Sequence, residues 1–246
     1  MKNHSEFDDE PEYSVAWFQS TRLAPHPEVR GLLYKANHMA YPRDHAAKVL
    51  RASDASSSPK FSIPFTLPRG LINRFSSHAF NSLYFYSGKS KQRTCVPLSR
   101  FFYPLDAVGN WNRAYGANGF LQHQCVVPSA VAGEALQALL KETQGTPFTL
   151  GVLKLFGSHS AAGYMSFPRP GLTVAMDFAN EGKSSLDLFS RLNQVVAQAG
   201  GALYPAKDAT MSAQLFRSGF PRWREFSQFI DPKFSSSFWR RVGSEE

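Results

Sequence analysis

The sequence has 246 residues, 43% of them hydrophobic, which is enough for one large domain or for one domain with a smaller appendage. Its formal net charge of +8 suits an anionic partner, but the basic residues are scattered and predict no nucleic-acid ligand. The only cysteines, Cys95 and Cys125, lie far apart and support neither a disulfide framework nor a metal site, so we expect a reducing compartment. Without a signal-peptide core or an apolar run of about 18 residues, the sequence predicts a cytoplasmic protein with no transmembrane segment.

Strand and loop patterns come first along the chain. Residues 13–18 (YSVAWF) are aromatic and β-branched and predict a strand. No element precedes this strand to pair with it, so the chain is expected to begin in the middle of a fold. Residues 52–68 are rich in Ser and Pro and predict a long loop, and a second short strand is predicted at residues 83–86.

The second half of the chain alternates between strand and helix patterns. Residues 119–127 (GFLQHQCVV) alternate in polarity and predict a strand. Ser129 is a suitable N-cap for a helix that extends to about Thr143. Further strands are predicted at residues 148–156 and 172–178.

A second helix is predicted between two local signals. Ser184-x-x-Asp187 resembles a capping box, and Gly200-Gly201 is a typical stop. The order of these elements predicts an α+β fold in which helices cover one face of a largely antiparallel sheet, followed by a short helical C-terminal segment.

Three of the predicted strands carry polar residues on one of their two faces. Because side chains alternate along a strand, Gln122 and Gln124 point the same way. Lys154 lies on one face of its strand, and Thr173 and Asp177 share a face of theirs. Periodicity alone leaves open whether these faces meet solvent or a ligand.

Four segments carry a family resemblance, in this order: FYPLDAVGNWNRAYGANGFLQHQCVVP (102–128), VLKLFG (152–157), SFPRPGLTVAMDF (166–178) and GGALYPAKDATM (200–211). They resemble the carboxy-terminal half of sugar oxidases in the vanillyl-alcohol-oxidase-type flavoprotein family, which includes the decaprenylphosphoryl-ribose oxidases and the aldonolactone oxidases. The resemblance covers nearly the whole chain, and four motifs in the family's order argue against a chance match.

The resemblance implies a division of the chain and a cofactor. Residues 1–201 would form the substrate domain, and residues 202–246 would return to complete a FAD-binding domain. The FAD-binding domain that comes first in this family is not present in the sequence, and no Gly-x-Gly-x-x-Gly run replaces its phosphate cradle. The implied cofactor is therefore FAD, held with a separate FAD-binding domain or chain, and the isolated chain is expected to be inactive.

The same resemblance implies roles for individual residues. Lys207 matches a catalytic lysine between flavin and substrate hydroxyl, and Tyr204 matches a cofactor-binding tyrosine packed against the flavin. Gln124 matches a position at the reacting centre, while Gln122 and Lys154 match substrate-pocket positions. An ammonium group there would stabilise alkoxide character on the sugar oxygen while a hydride leaves for flavin N5.

Three further pocket positions depart from the family pattern. Phe102, Thr173 and Ala175 stand where the related oxidases have Tyr, Asn and Cys, so a hydroxyl, an amide and a thiol are replaced by smaller or less polar groups. These residues match substrate-binding positions. The identity of the substrate therefore stays open.

Other titratable residues near the motifs receive no catalytic assignment. His123 should face away from the Gln122 and Gln124 side chains, so we interpret it as a packing residue. Asp106 is expected to cap a helix, and neither Asp106 nor Asp177 is assigned a proton-transfer role.

The leading hypothesis is the substrate-binding half of a FAD-dependent oxidoreductase. It would oxidise a secondary hydroxyl of a furanose, and a phosphate-linked lipid sugar resembling decaprenylphosphoryl-ribose would suit the basic charge. One alternative is a fragment of an aldonolactone or other sugar-alcohol oxidase. Another is a non-catalytic module, or a truncated remnant, that binds a sugar phosphate or a partner protein.

Overall fold

A computed structural model of the chain describes residues 11–21, 28–38, 59, 61–89, 95–103, 107–146, 148–159 and 162–243. The strands are β1 (Tyr13–Thr21), β2 (Glu28–Ala36), β3 (Phe61–Ser62), β4 (Val108–Gly109), β5 (Phe120–Val127), β6 (Leu150–Phe156), β7 (Gly171–Ala179) and β8 (Ala202–Leu203). The α-helices are α1 (Arg74–Lys89), α2 (Leu98–Phe102), α3 (Ala132–Glu142), α4 (Lys183–Gln198), α5 (Ala213–Gly219), α6 (Trp223–Ser227) and α7 (Ser237–Val242). Short 3-10 turns lie at Trp111–Tyr115, Ser129–Val131 and Pro205–Lys207.

The main sheet has six strands in the order β2-β1-β6-β7-β5-β8. Every neighbouring pair in it is antiparallel. A separate parallel pair joins β3 to β4. The predicted α+β class with a largely antiparallel sheet is therefore confirmed, and the predicted strands around β1, β5, β6 and β7 are all present.

One face of the sheet is closed by α3 and α4 and forms the core. We call it the helix-covered face, and its sheet residues include Phe18, Cys125, Val174, Met176 and Phe178. The helices bury residues three or four positions apart against it, as an amphipathic helix does. These helix residues are Leu139 and Leu140 of α3 and Leu188, Leu192 and Val196 of α4. Each large apolar side chain buried here contributes about 1.5–3 kcal/mol.

The strand predicted at residues 83–86 is wrong, because these residues belong to α1. This helix packs on the opposite face of the sheet, above β1 and β2. The Tyr84 ring lies 4.9 Å from the Trp17 ring, and Arg30 Nη2 donates to Ser82 Oγ at 2.7 Å. The aromatic residues of this segment favour strands in isolation, but their packing against the sheet decides the outcome. Helices are consequently not confined to one face.

Helix ends were predicted less well than helix positions. The helix α4 begins after Gly182 rather than at a capping box formed by Ser184-x-x-Asp187. Ser129 opens a 3-10 turn and makes no capping hydrogen bond. The predicted stop at Gly200 is confirmed, because its φ of 65° is the left-handed conformation that glycine adopts most easily.

Two expectations fall partly or wholly outside the described residues. The loop predicted at residues 52–68 is described only at residue 59 and from residue 61 onward, where β3 is the sole regular element. Asp106, the expected helix cap, also lies outside the described part. Within the described ranges, no helix is both long and apolar enough to cross a membrane.

The last part of the chain is tied to the sheet by specific contacts. Strand β8 pairs with β5 through Cys125 and Val126. Arg169, which precedes β7, donates from Nη1 to the carbonyl oxygen of Gly219 at the end of α5, at 2.7 Å. The same guanidinium lies 5.3 Å from the centre of the Phe220 ring. The segment after β8 is thereby held in a fixed place beside the sheet.

Candidate functional site

The register of β5, β6 and β7 brings the predicted pocket residues of these strands to one face. Gln122 lies opposite Asp177 and Gln124 opposite Ala175, and Lys154 lies opposite Thr173. Directly paired residues point to the same side of a sheet. We call this side the polar face, and its members are Gln122, Gln124, Lys154, Thr173, Ala175 and Asp177.

Lys207 lies at the rim of the polar face. Beyond β8, the backbone N–H of Tyr204 donates to the carbonyl oxygen of Gln124 at 2.9 Å, and that of Lys207 donates to Tyr204 at 3.0 Å. This 3-10 turn makes the Lys207 side chain exposed. Gln122, Gln124, Tyr204 and Lys207 line a crevice, which we call the rim crevice, together with His123 and Asn193 from the side of the helix-covered face. Its volume of about 10 Å³ is room for one water molecule and not for a sugar.

The turn that carries Lys207 is anchored from two directions. Asp208 Oδ1 accepts a hydrogen bond from the backbone N–H of Met211 at 2.5 Å. Its other oxygen pairs with Arg241 of α7. Asn193 of α4 donates from Nδ2 to Thr210 Oγ1 at 2.9 Å. The position of Lys207 therefore depends on contacts from both the core helix and the C-terminal helix.

Asp177 is a buried carboxyl group on the polar face and was not assigned a role from the sequence. Only 1% of the residue is exposed, and Gln122 Nε2 donates to its Oδ1. Burial raises the pKa of Asp177 to about 6, while the Gln122 hydrogen bond and the positive charge of Lys207 act in the opposite direction. The alternation of LTVAMDF already placed this residue beside Thr173, but its pairing with Gln122 needed the register.

The other substrate-binding candidates differ in what they offer a ligand. Lys154 is half-buried between Val15 and Thr173, and burial lowers its pKa. Thr173 is buried and donates its hydroxyl hydrogen to the Cys125 carbonyl oxygen at 2.8 Å. That hydrogen is therefore engaged with the backbone. Ala175 is partly exposed and supplies only a methyl group.

Phe102 occupies the margin of the polar face rather than its centre. It ends α2, and its ring packs edge-on against Tyr13 of β1 at 5.1 Å. Tyr13 lies two residues before Val15, the β1 partner of Lys154. Phe102 is thus placed on the β1 side, whereas Gln124 lies on the β8 side of the same sheet.

His123 lies on the helix-covered face, in agreement with a packing role. Its Nε2 lies 3.1 Å from Asn193 Oδ1, and its ring packs edge-on against Phe189 at 5.4 Å. Because Asn193 uses its amide nitrogen for Thr210, His123 must be the donor in this pair. Burial lowers the pKa of His123 to about 4, so the ring is neutral.

A second, larger groove lies on the other side of Tyr204. We call it the apolar groove, and its lining includes Phe167, Tyr204, Phe216, Phe226, Phe238 and Trp239. The Tyr204 ring lies 4.7 Å from the Phe167 ring. Tyr204 therefore separates the rim crevice from the apolar groove and contributes to both.

Comparison with known proteins gives two informative matches, although no family model matches the chain. The chain is 33% identical over 239 residues to decaprenylphosphoryl-beta-D-ribose oxidase of Mycolicibacterium smegmatis, a match that covers 94% of this chain and 51% of the relative. It is 26% identical over 228 residues to an uncharacterized protein in the mprA 5' region of Streptomyces coelicolor, covering 87% of this chain and 61% of that protein.

These matches confirm the resemblance that the four motifs indicated. Nearly the whole chain corresponds to about half of a decaprenylphosphoryl-ribose oxidase, which agrees with the expected carboxy-terminal half of a FAD oxidase. The chain spans about half to three fifths of the length of these curated relatives.

Proposed function

We propose that this chain is the substrate-binding half of a FAD-dependent oxidoreductase that oxidises a secondary hydroxyl of a furanose sugar. One observation carries the proposal: in a chain 33% identical to a decaprenylphosphoryl-ribose oxidase, Gln122, Gln124 and Lys154 share one face of the sheet, with Lys207 at its rim. The substrate class we propose is a sugar linked to a lipid phosphate. The net charge of +8 suits such an anion.

Lys207 and the two amides would divide the chemical work on the polar face next to the rim crevice. Oxidation of a secondary alcohol removes a proton from its oxygen, here to solvent, and a hydride from its carbon, and the oxygen carries negative character once its proton has left. The Lys207 ammonium would donate a hydrogen bond to that oxygen and stabilise this charge. Gln122 and Gln124 would orient the sugar through directional hydrogen bonds to its hydroxyl groups, including the one that is oxidised. FAD, when bound, supplies the hydride acceptor.

The residues of this chain fit one side of a flavin rather than a complete FAD site. Tyr204 offers an aromatic ring between the rim crevice and the apolar groove, next to Lys207. The sequence contains no Gly-x-Gly-x-x-Gly loop for the pyrophosphate. We therefore propose that Tyr204 and Lys207 would contact the flavin and that a FAD-binding half supplies the remaining contacts.

The apolar groove supports the proposed division of the chain. Residues 1–201 would form the substrate domain, and residues 202–246 would complete the FAD-binding domain. Most of the groove is formed by the second part, including Phe226, Phe234 and Trp239. Exposed apolar surfaces of this kind usually mark an interface. A FAD-binding half docked there would cover these side chains.

Three substrate-binding positions differ from the family pattern, and these differences affect which substrate we propose. The Thr173 hydroxyl hydrogen is bonded to the backbone, Ala175 has no polar atom, and Phe102 lies at the margin beside Tyr13. The centre of the polar face therefore offers a sugar fewer polar contacts than an Asn and a Cys would. A furanose carrying fewer hydroxyl groups, or a lactone-related polyol, belongs among the compounds to compare with a ribose derivative.

The visible absorption spectrum tests the proposed function. The purified chain is measured alone and after coexpression with a candidate FAD-binding polypeptide from the adjacent gene. We expect flavin bands only in the coexpressed complex, and anaerobic addition of a ribofuranosyl phosphate should bleach them. A complex that binds FAD but is not bleached by any furanose would contradict sugar oxidation. Sugar-phosphate binding by a flavin-free chain with no complex formation would instead favour a binding module.

A further inference from the structure

Asp177 has an unusual combination of burial and incomplete pairing on the polar face. Its Oδ1 accepts a hydrogen bond from Gln122 Nε2. Its Oδ2 is buried and has no hydrogen-bond partner among the described residues. A buried carboxylate oxygen without a partner destabilises a fold. An asparagine or an apolar residue would satisfy a purely structural requirement at this position better.

The Asp177 carboxylate fixes the direction of the Gln122 amide. An ionised carboxylate only accepts hydrogen bonds, so the amide nitrogen of Gln122 must face it. The carbonyl oxygen Oε1 is then the end of the amide that remains for a ligand, and the Lys207 charge acts on the same Asp177 carboxylate. This part of the polar face thereby offers one acceptor, from Gln122, and one donor, from Lys207.

The charges around Asp177 keep this arrangement in place near neutral pH. The titratable groups that interact with it are Lys207 from the turn after β8 and Tyr115 from the 3-10 turn before β5. The β6 residue opposite Asp177 is Leu150, and Lys154 lies opposite Thr173, four residues away along β7. Lys207 lowers the pKa of Asp177 against the effect of burial, and the outcome is about 6. Burial, with a contribution from Asp177, raises the pKa of Tyr115, so this phenol stays neutral.

We propose that Asp177 is a positioning residue that makes the polar face beside Lys207 select a sugar hydroxyl over the carbonyl formed from it. Its carboxylate presents Gln122 Oε1 to the sugar, and its negative charge attracts the Lys207 ammonium to the same sugar oxygen. A hydroxyl donates to Gln122 and accepts from Lys207. A ketone only accepts, and it would leave Gln122 Oε1 without a partner, so the product binds more weakly than the substrate. This inference rests on the proposed function.

The substitution Asp177→Asn tests the proposal in the FAD-loaded complex. An asparagine both donates and accepts, so it would pair with either end of the Gln122 amide and no longer fix its direction. We expect KM for the sugar to rise about tenfold, with flavin content unchanged. The preference for the alcohol over its keto product, measured from KM and product inhibition, should shrink by a similar factor. The acidic limb of the kcat/KM profile near pH 6 should disappear.

Stability provides a readout that does not depend on turnover. If Asp177 served only the structure, Asp177→Asn would lower the melting temperature of the chain. Because its unpartnered oxygen destabilises the fold, we instead expect the melting temperature at pH 7.5 to stay the same or to rise by a few degrees. Asp187→Asn, on the exposed side of α4, is the matched control and should change neither KM nor the melting temperature.

A double substitution that exchanges the carboxylate and the amide distinguishes a positioning role of Asp177 from a simple loss of charge. In Asp177→Asn combined with Gln122→Glu, the new amide on β7 would donate to the new carboxylate on β5, which still presents an acceptor oxygen to the sugar. We expect KM to return to within a few-fold of the original value. If the complex oxidises sugars but Asp177→Asn leaves KM, product preference and pH profile unchanged, the proposal is wrong while the proposed function stands. If the unsubstituted complex oxidises no furanose, both fail together.

Discussion

The two faces of the sheet differ in the kind of side chains that they carry. On the helix-covered face, Cys125, Val174 and Met176 are fully buried among the side chains of α3 and α4. On the polar face, the same strands carry Gln122, Lys154 and Asp177. Neighbouring residues of one strand thus lie on different faces and have different roles. The first face stabilises the fold, whereas the second retains polar groups that reduce stability and suit a ligand.

His123 and Asp177 express this difference in two buried titratable side chains. His123 is neutral, and its Nε2 is paired with Asn193. Each of the two side chains keeps one buried atom without a hydrogen-bond partner among the described residues, Nδ1 of His123 and Oδ2 of Asp177. Burial moves the two pKa values in opposite directions, to about 4 for His123 and about 6 for Asp177. The comparison teaches that burial alone does not separate a packing residue from a functional one.

The largest effect on stability is expected on the helix-covered face. Phe178→Ala removes a fully buried ring that packs against Phe148 and Phe189. We expect the free energy of unfolding to fall by about 3–5 kcal/mol, because a cavity is left behind. Val152→Ala on the half-buried polar side of β6 is the comparison and should lose about 1 kcal/mol or less. Urea unfolding monitored by circular dichroism measures both. Equal losses would contradict the difference between the faces.

A substitution of Lys207, at the rim of the polar face, should lower activity without lowering stability. Lys207→Ala is expected to lower kcat of the FAD-loaded complex by about 10²–10³-fold, because the donor to the developing alkoxide is lost. Lys207 is exposed, so the free energy of unfolding should change by less than about 0.5 kcal/mol. Flavin content, measured from absorbance, should stay the same. Lys183→Ala, at the exposed start of α4, is the matched control. Undiminished turnover would remove the catalytic role of Lys207.

The pH dependence of stability should distinguish the contributions of His123 and Asp177. The folded-state pKa of His123 lies below its ordinary 6.5, so its contribution is present above that pH and is lost as pH falls towards 4. The folded-state pKa of Asp177 lies above its ordinary 3.8, so its contribution is present at low pH and is lost as pH rises through about 6. Each difference between the folded-state pKa and the ordinary pKa corresponds to roughly 3 kcal/mol of folding free energy as an upper bound.

The two contributions should largely cancel in the unsubstituted chain between pH 4 and pH 6.5. His123→Gln should leave a stability that increases on acidification, whereas Asp177→Asn should leave one that decreases. Urea midpoints measured across this range test both variants. Parallel pH profiles for the two variants would contradict the opposite assignments.

The smallest effect is expected at the ion pair that anchors the Lys207 turn. Arg241 is largely exposed, while the Asp208 side chain is almost buried. Arg241→Gln should therefore lower the free energy of unfolding by about 1 kcal/mol or less. Hydrogen exchange at the Met211 amide, which donates to Asp208, should become faster. Arg240→Gln, outside this pair, is the control. Unchanged exchange at Met211 would show that the turn does not need Arg241.

Local patterns predicted the central strands well because each has a clear alternation or an apolar run. The segment at residues 83–86 was mispredicted because its aromatic side chains suit both a strand and a helix, and only the contacts of Tyr84 with β1 decide between them. The faces of Gln122 and Gln124 followed from alternation. The pairing of Gln122 with Asp177 did not, because register between distant strands is a tertiary property. Sequence motifs located Lys207, but its anchors from Asn193 and Arg241 needed the fold.

The contact between Arg241 and Asp208 has a practical consequence for handling the protein. The helix α7 ends at Val242, directly beside the ion pair that anchors the turn of Lys207. An affinity tag or fluorescent protein fused immediately after Gly243 would crowd this pair. We therefore expect such a fusion to loosen the turn of Lys207.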